Sequence, residues 1–358
     1  MFHFLSRKQF WFIVFLILVY ISLASNFIFK KYSKPDLSLV SQEYNFISNP
    51  IKLTLPIPFP FQEMTIPYLR ARDYKSSLGD LEKFADNGSY TSYLTSYDSD
   101  GLKINGLLTQ PKGEKPSGGW PAIIFIHGYI PPTQYQTTVN YSSYADYLAR
   151  NGFVVFKIDL RGHNESEGEA SGAYYSGDYI IDTLNAYTAL QTSDLVNPKK
   201  IGLWGHSMAG NVVLRSLAAK PQIPAVVIWS GAVYTYSDMQ EFGINDGSYR
   251  PPQNATERQR KRQELREQYG DFSPDSEFWK QVAATNYLND IKGKIQINHT
   301  INDDVVPIGY SRNLNKLLDE TKVIHELNEY SFGGHNFTGA VFTQAMEKTI
   351  EFFRKNLE

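Results

Sequence analysis

A serine lies where an apolar run meets a helical pattern, in the segment Ile201–Gly210 (IGLWGHSMAG). The spacing Gly205-x-Ser207-x-Ala209 predicts a nucleophile elbow, a strained strand-to-helix turn that projects the serine hydroxyl above a sheet. Residues two before and two after the serine must be small because strand and helix approach closely there. Gly205 meets this need, and Ala209 stands where the usual pattern has glycine. Ser207 is therefore the candidate nucleophile.

A serine hydroxyl needs a base near neutral pH, and the base needs an orienting acid. Three histidines follow the candidate nucleophile: His299, His325 and His335. His325 lies within a predicted strand and His299 ends one, so we interpret both as structural. His335 lies in a glycine-rich loop before the last helix, SFGGHNF, which can present a ring to the site. We assign the base to His335.

The acid is expected between the serine and the base in chain order. The segment 296–307 (QINHTINDDVVP) offers two aspartates after a predicted strand. We prefer Asp303 and keep Asp304 as the alternative. If Asp303 is the acid, Asp304 is a solvated or loop-capping carboxylate.

A tetrahedral oxyanion needs two backbone N–H donors. One is expected from Met208, directly after the nucleophile, and the other from Tyr129, in the loop after the predicted strand Ala122–His127. Gly128 is expected to permit the tight turn of this loop. His127, His163 and His206 have no metal-ligand spacing and are interpreted as structural. No metal and no cofactor are predicted.

The elements around these residues alternate between strands and helices, which favours a mostly parallel sheet buried on both faces. A hairpin, Ser92–Tyr97 and Leu102–Thr109 around an Asp-Ser-Asp-Gly turn, comes first. The predicted strands are Ala122–His127, Phe153–Asp159, Ile201–Trp204, Ala225–Trp229, Lys294–His299 and Lys322–Tyr330. The predicted helices are Tyr144–Arg150, Tyr179–Gln191, Ser207–Ala219, Ile308–Leu318 and one near Val341–Asn356.

The alternation stops at about residues 234–290, which we interpret as a helical cap inserted at the carboxyl edge of the sheet, where open α/β folds bind ligands. A charged helix (ATERQRKRQELREQYG) is expected to stop at Gly270, and Ser273-Pro274 is expected to start a second helix. Because glutamates interleave with its basic run, the charged helix is interpreted as a solvated face.

The N-terminus carries an uncharged apolar run, Phe10–Phe29, long enough at 1.5 Å per residue to span a bilayer of about 30 Å. We predict a membrane anchor over residues 1–34. A signal peptide cleaved after Ala24 is the alternative. Both place the rest of the chain on the extracytoplasmic side. Residues 35–90, rich in proline, are expected to be an extended stalk segment, followed by a catalytic domain at 91–358.

The amino-acid composition argues against several kinds of partner and chemistry. The 358 residues carry a formal net charge of −2, which gives no electrostatic reason to expect nucleic acid as a partner. Cysteine is absent, so disulfides and thiolate chemistry are excluded. The oligomeric state is not indicated.

Together these motifs resemble the prolyl oligopeptidase family of α/β-hydrolases, including its dipeptidyl aminopeptidase and acylaminoacyl-peptidase branches. The resemblance covers Ser92 to the C-terminus through YDSDGLKINGLL, PAIIFIHGY, FKIDLRGHNESEG, GLWGHSMAG, SEFWKQVAATNYLNDI, NDDVVP and GGHNF. It implies the α/β-hydrolase fold, the same triad, an acyl-enzyme and no cofactor. The chain departs from the family at His163-Asn164, at His299-Thr300-Ile301 and at Ala209.

The segment before the catalytic domain is too short for the N-terminal β-propeller of the large peptidases in this family. Esterase activity on small acyl substrates is therefore expected as much as peptidase activity. The leading hypothesis is a membrane-anchored serine hydrolase that cleaves a small ester or a short peptide. A catalytically silent binding protein on the same fold and an acyltransferase using the same serine are the alternatives.

Overall fold

The structure is a computed structural model that describes residues 58–247 and 257–357. All of these residues belong to one compact unit, Leu55–Glu358. The predicted anchor Phe10–Phe29 lies outside the described residues. Within the described ranges, no helix is both long and apolar enough to cross a membrane.

The described strands form one nine-stranded sheet in the order β1-β2-β3-β5-β4-β6-β7-β8-β9. Strands β1 to β3 and the pair β3–β5 are antiparallel, and the remaining pairs are parallel. The strands are β1 (Glu82–Asp86), β2 (Tyr90–Ser99), β3 (Leu102–Pro111), β4 (Trp120–Ile126), β5 (Val154–Ile158), β6 (Val196–His206), β7 (Ala225–Trp229), β8 (Lys294–Thr300) and β9 (His325–Tyr330). The predicted mostly parallel sheet is confirmed.

Helices cover both faces of the sheet. They are α1 (Ile66–Ala71), α2 (Ser142–Arg150), α3 (Asp178–Gln191), α4 (Ala209–Ala219), α5 (Tyr236–Phe242), α6 (Glu257–Tyr269), α7 (Glu277–Val282), α8 (Gly309–Asp319) and α9 (Ala340–Leu357). Successive side chains of a strand point to opposite faces. Accordingly Ile124 and Ile126 pack in the core with α3 and α4, whereas Ile123 and Phe125 pack in the core with α2 and α9.

The hairpin predicted at the start of the domain is confirmed. Strands β2 and β3 pair through to Ser99 and Leu102, which leaves a two-residue turn. Asp100 and Gly101 have φ of 57° and 82°, the left-handed values that a two-residue turn between twisted strands requires.

The described part of the predicted stalk, residues 58–90, differs from an extended segment. A 3-10 turn at Gln62–Met64 leads into helix α1, and β1 joins the edge of the sheet. Pro67 lies in the first turn of α1, where proline is tolerated, and Thr65 caps that helix with its side chain. Pro67 therefore marks a helix start, because proline is excluded from a helix interior but tolerated in the first turn.

The predicted cap consists of α5, α6, α7 and a 3-10 helix, Ala284–Asp290. Helix α6 ends before Gly270, whose φ of 72° suits glycine at a helix end. The helix expected from Ser273-Pro274 instead begins at Glu277. The prediction of that start was wrong because Ser273 makes a turn, in which its carbonyl oxygen accepts the N–H of Ser276 at 3.1 Å.

Candidate active site

Ser207 lies in the turn between β6 and α4. Its φ of 55° is in the left-handed region, which is uncommon for a residue other than glycine. The turn is held from the neighbouring strand, since Ser207 N–H donates to the carbonyl oxygen of Trp229 at 2.9 Å. The carbonyl oxygen of Ser207 accepts the N–H groups of Gly210 at 2.9 Å and Ala232 at 3.2 Å. The structure therefore contains the strained elbow geometry that the sequence predicts.

The close approach of strand and helix at the elbow explains the two small residues. A Cβ atom at Gly205 would lie 2.8 Å from the carbonyl oxygen of Ala209 and 2.9 Å from Cγ1 of Val213. The nearest atom of Ala209 is this carbonyl oxygen and not its methyl group. Alanine is therefore accommodated at position 209, although glycine is the usual residue.

Asp303 and His335 are joined directly. The ring nitrogen Nδ1 of His335 lies 2.8 Å from Oδ2 and 3.1 Å from Oδ1 of Asp303. Asp303 is 8% exposed, whereas the alternative acid Asp304 is exposed to solvent. The geometry therefore places Asp303, and not Asp304, behind the His335 ring.

The Asp303 carboxylate has further donors. Its Oδ1 accepts the N–H groups of Val305 at 3.0 Å and Val306 at 2.9 Å. Its Oδ2 lies 3.2 Å from Nε2 of His299. Burial raises the pKa of Asp303, but the hydrogen bonds from His299 and His335 outweigh it, and the pKa lies well below its usual range. The acid stays ionised.

His299 lies one residue before the end of β8, which extends to Thr300 and is thus one residue longer than predicted, and it is also a neighbour of Asp303. Its ring is fully buried, and Nδ1 lies 2.7 Å from the hydroxyl oxygen of Ser311. Sequence reasoning missed its contact with Asp303. The signal was the four-residue separation between the two, which a tight loop after a strand can close.

Ser207, His335 and the predicted oxyanion donors Tyr129 and Met208 line one cavity of about 700 Å³. Among the residues that the structure describes, no hydrogen bond joins the Ser207 hydroxyl to the His335 ring. Such bonds are often long in ligand-free sites and shorten when substrate binds. The cavity is the place where the predicted site residues meet.

Aromatic side chains dominate the wall of this cavity. They are Tyr129, Tyr141, Tyr144, Tyr174, Tyr175 and Tyr179. The cap contributes Arg262 from α6, whose guanidinium carbon lies 4.2 Å from the centre of the Tyr175 ring. Most of α6 is exposed, as predicted, but sequence reasoning missed that Arg262 faces the site.

His127, His163 and His206, which were interpreted as structural, are buried. Burial lowers the pKa of His127 to about 3 and that of His163 to about 4. Burial and the nearby His335 lower the pKa of His206 to about 3. No cluster of potential metal ligands occurs within residues 58–247 and 257–357. His163 and His206 nevertheless line the cavity, which the sequence did not indicate.

Two departures from the family pattern have structural explanations. Asn164 has a φ of 49°, and asparagine tolerates this left-handed conformation where glycine is usual. Thr300 donates from its hydroxyl to the carbonyl oxygen of Gly334 at 2.9 Å. The threonine thereby holds the loop that carries His335.

Comparisons with known proteins agree with this architecture. A family model described as the alpha/beta hydrolase fold matches residues 121–251. A polyketide transferase of Penicillium crustosum is 30% identical over 146 residues, which cover 41% of this chain and 46% of the relative. The matched segment thus spans less than half of that relative.

Solved structures extend the likeness beyond the matched segment. Acetyl xylan esterase 1 from a Thermoanaerobacterium species has a TM-score of 0.57 and 20% identity, covering 82% of this chain and 95% of the esterase. Dipeptidyl peptidase 4 of Porphyromonas gingivalis has a TM-score of 0.57 and 20% identity, covering 75% of this chain and 36% of the peptidase. The chain has the α/β-hydrolase fold, and its structural neighbours include both esterases and peptidases of the group that the sequence resembles.

Proposed function

We propose that this protein is a serine hydrolase that acts through an acyl-enzyme. The observation that carries the proposal is the 2.8 Å contact between Asp303 and His335 in a site whose cavity also contains the elbow serine, Ser207. Tyr129 and Met208 supply the backbone N–H donors of the oxyanion hole in this proposal.

Each group has a defined role at each step of the proposed reaction. His335 takes the hydroxyl proton of Ser207, and the serine oxygen attacks the carbonyl carbon of the substrate. The oxyanion accepts the N–H groups of Tyr129 and Met208 while it carries negative charge. His335 then gives its proton to the leaving oxygen or nitrogen, the bond to the leaving group breaks, and the acyl group stays on Ser207. Water, activated by His335, releases the acid in the second half of the reaction.

The ionised Asp303 supports the base in two ways. It accepts a hydrogen bond from Nδ1 of His335, which leaves Nε2 free to take the serine proton. Its negative charge stabilises the imidazolium that forms during each half-reaction. The backbone donors Val305 and Val306 keep the carboxylate in place while this happens.

The substrate class that fits best is a small ester or a short peptide. A cavity of about 700 Å³ has room for a small acyl group and its leaving group, and its tyrosine-rich wall offers apolar surface with hydroxyl groups. The structural neighbours include an acetyl xylan esterase and a dipeptidyl peptidase, which supports both substrate types.

The deciding experiment is a substrate screen on purified protein. p-Nitrophenyl esters of graded acyl length are compared with aminoacyl-p-nitroanilides, with Ser207→Ala as the matched control. Hydrolysis that Ser207→Ala lacks supports the proposal, and the preferred series defines the substrate. Lack of both hydrolysis and fluorophosphonate labelling of Ser207 would instead favour a silent binding protein.

A second candidate, an acyltransferase, is supported by the likeness to a polyketide transferase. The same acyl-enzyme would then pass its acyl group to an alcohol or amine in place of water. Adding such acceptors to the ester assay separates the two functions, because a transferase forms the new ester or amide in excess of the free acid.

We also propose that the run Phe10–Phe29 tethers the enzyme to a membrane, with the catalytic domain on the extracytoplasmic side. The proposal is supported by the 20 uncharged residues of this run. The protein should sediment with membranes, resist carbonate and be released by detergent. A mature chain that begins at Ser25 would instead identify a cleaved signal peptide.

A further inference from the structure

The hydroxyl group of Tyr141 lies between the loop after β4 and the residue that precedes the nucleophile. Gly128 N–H donates to Tyr141 Oη at 3.0 Å, and this oxygen lies 2.7 Å from Nδ1 of His206. The other ring nitrogen of His206, Nε2, lies 2.8 Å from the backbone carbonyl oxygen of His335. We call these four residues the tyrosine–histidine network. It connects the loop of one proposed oxyanion donor to the loop of the proposed base.

We propose that Tyr141 and His206 are positioning residues, whose hydrogen bonds set the placement of the Tyr129 N–H donor relative to the His335 ring. The inference rests on the proposed serine-hydrolase function and deepens it. Tyr129 directly follows Gly128, so a bond that fixes the N–H of Gly128 also constrains the next peptide group. The bond to the His335 carbonyl constrains the base in the same way.

Chemistry allows only one direction of donation along the network. A carbonyl oxygen accepts, so Nε2 of His206 carries the hydrogen and donates to His335. Burial and the nearby His335 lower the pKa of His206 to about 3, so the ring is neutral near neutral pH and its Nδ1 accepts. Burial raises the pKa of Tyr141, which keeps its hydroxyl protonated. Tyr141 thus accepts from Gly128 and donates to His206, and every donor has an acceptor.

The residue type at position 128 agrees with the network. A Cβ atom there would lie 2.5 Å from Tyr141 Oη and 3.1 Å from both Nδ1 of His206 and Cβ of Ser207. The expected tight turn does not explain Gly128, because its φ is not in the positive region. Glycine is required here because the Tyr141 hydroxyl and the elbow approach the backbone closely.

A neutral His206 also suits the chemistry of its neighbour. The ring centres of His206 and His335 lie 4.6 Å apart. A positive charge on His206 would oppose the imidazolium that His335 becomes during the reaction. The network fixes His206 in its neutral form because Tyr141 donates to one ring nitrogen and a carbonyl accepts from the other.

The test compares Tyr141→Phe with the unchanged full-length protein in detergent. The substitution removes only the hydroxyl, so the ring can keep its edge contact with Phe125. Active sites are titrated with a fluorophosphonate, and kcat for p-nitrophenyl butyrate is expressed per titrated site. We expect kcat per site to fall by about tenfold to a hundredfold with little change in KM, because a small misplacement of catalytic groups acts on the transition state.

The network makes a second prediction that a merely structural role does not. His206→Gln should lower kcat per site by a similar factor, and the double variant should fall no further than the worse single variant, because both break the same connection. Independent structural damage would instead multiply the two factors. If Tyr141→Phe yields no titratable sites, His206→Gln and His206→Asn carry the test.

Tyr310→Phe is the matched control. Its ring is fully buried and its hydroxyl donates to a backbone carbonyl oxygen, that of Gly243, at 3.0 Å. The control should lower stability without changing kcat per titrated site. Full kcat per site in Tyr141→Phe, or multiplicative effects in the double variant, would overturn the inference while leaving the proposed function intact. An unchanged protein without hydrolysis or Ser207 labelling would overturn the proposed function itself.

Discussion

The loop that carries Ser207 and the loop that carries His335 differ in what holds them in place. The serine turn is held by close packing within one strand–helix unit, where Gly205 meets the backbone of Ala209, and by bonds to the adjacent strand. The histidine loop makes two backbone hydrogen bonds of its own, from Phe337 to Gly334 and from Thr338 to Gly333, and it is also held by side chains from elsewhere in the chain. They are Thr300 and Asn302, bonded to Gly334, His206, bonded to His335, and Tyr144, bonded to Asn336.

This difference has a physical basis. The nucleophile elbow places its serine in a strained backbone position, and dense local packing holds Ser207 there at a φ of 55°. A base must present one ring nitrogen to the serine and the other to an acid, which is a matter of orientation. Directional hydrogen bonds fix orientation, so side chains from other parts of the chain, both donors such as Thr300 and the acceptor Asn302, help to hold the histidine loop.

The largest effect is expected at the serine itself. Ser207→Ala should lower kcat by on the order of a million-fold, because the nucleophile is lost while the elbow keeps a small residue. Hydrolysis of the preferred p-nitrophenyl ester measures this change, and the melting temperature shows whether the fold is kept. Retention of more than about a hundredth of the activity would contradict the assignment of the nucleophile.

The next largest effect separates the two aspartates. Asp303→Ala should lower kcat by about ten-thousand-fold, because the His335 ring loses its orienting acid. Asp304→Ala is the matched control and should change little, since Asp304 is exposed to solvent. If the Asp304 variant is instead the inactive one, the acid has been assigned to the wrong residue.

A third test addresses the close packing that holds the serine turn. Gly205→Ala should reduce kcat by about a hundredfold and lower the melting temperature, because the new methyl group would lie 2.8 Å from the Ala209 carbonyl oxygen and must displace the elbow. Ala209→Gly is the control and should remain close to the unchanged protein. Normal activity in Gly205→Ala would show that the elbow does not depend on this packing.

The comparison also explains what the sequence could reveal. The elbow was predictable because Gly205, Ser207 and Ala209 are neighbours whose spacing reflects a local conformation. The candidate triad followed because strand and loop order limited the choices to one histidine and two aspartates. The roles of Tyr141 and His206 could not be predicted, since 65 positions separate these residues and only the folded sheet brings them together.

The histidine loop offers a fourth, smaller test. Thr300→Val keeps the shape of the side chain but removes its bond to the carbonyl oxygen of Gly334, so kcat/KM should fall by about threefold to tenfold. Thr109→Val is the control, since Thr109 is also buried and bonded to backbone, at Val155, but lies far from the site. Equal effects of the two substitutions would show that the Thr300 bond has no special role in placing the base.

The smallest effect concerns how the stability of the protein depends on pH through three buried histidines. His127, His163 and His206 have pKa values lowered to about 3, 4 and 3 from an ordinary 6.5. The unfolded chain therefore binds more protons than the folded one between about pH 6.5 and pH 3. By linkage, stability falls as the pH falls through this window. The melting temperature should be lower at pH 5 than at pH 7 by about 5 °C or more.

Asp159 has the opposite effect on the pH dependence of stability. Burial raises its pKa to about 6, so the folded state holds a proton there that the unfolded state releases, and this contribution is lost as the pH rises through about 6. Glu63 and Asp182 also have raised pKa values and act in the same direction as Asp159, whereas the lowered pKa of Asp303 adds to the effect of the three imidazoles, so acidification should still destabilise the protein. His163→Gln removes one of the three groups and should make the melting temperature less dependent on pH. A melting temperature that is constant from pH 7 to pH 4 would mean that these histidines are not held neutral by burial. Nδ1 of His206 would then carry a hydrogen and donate to the Tyr141 hydroxyl, while Nε2 would still donate to the His335 carbonyl oxygen.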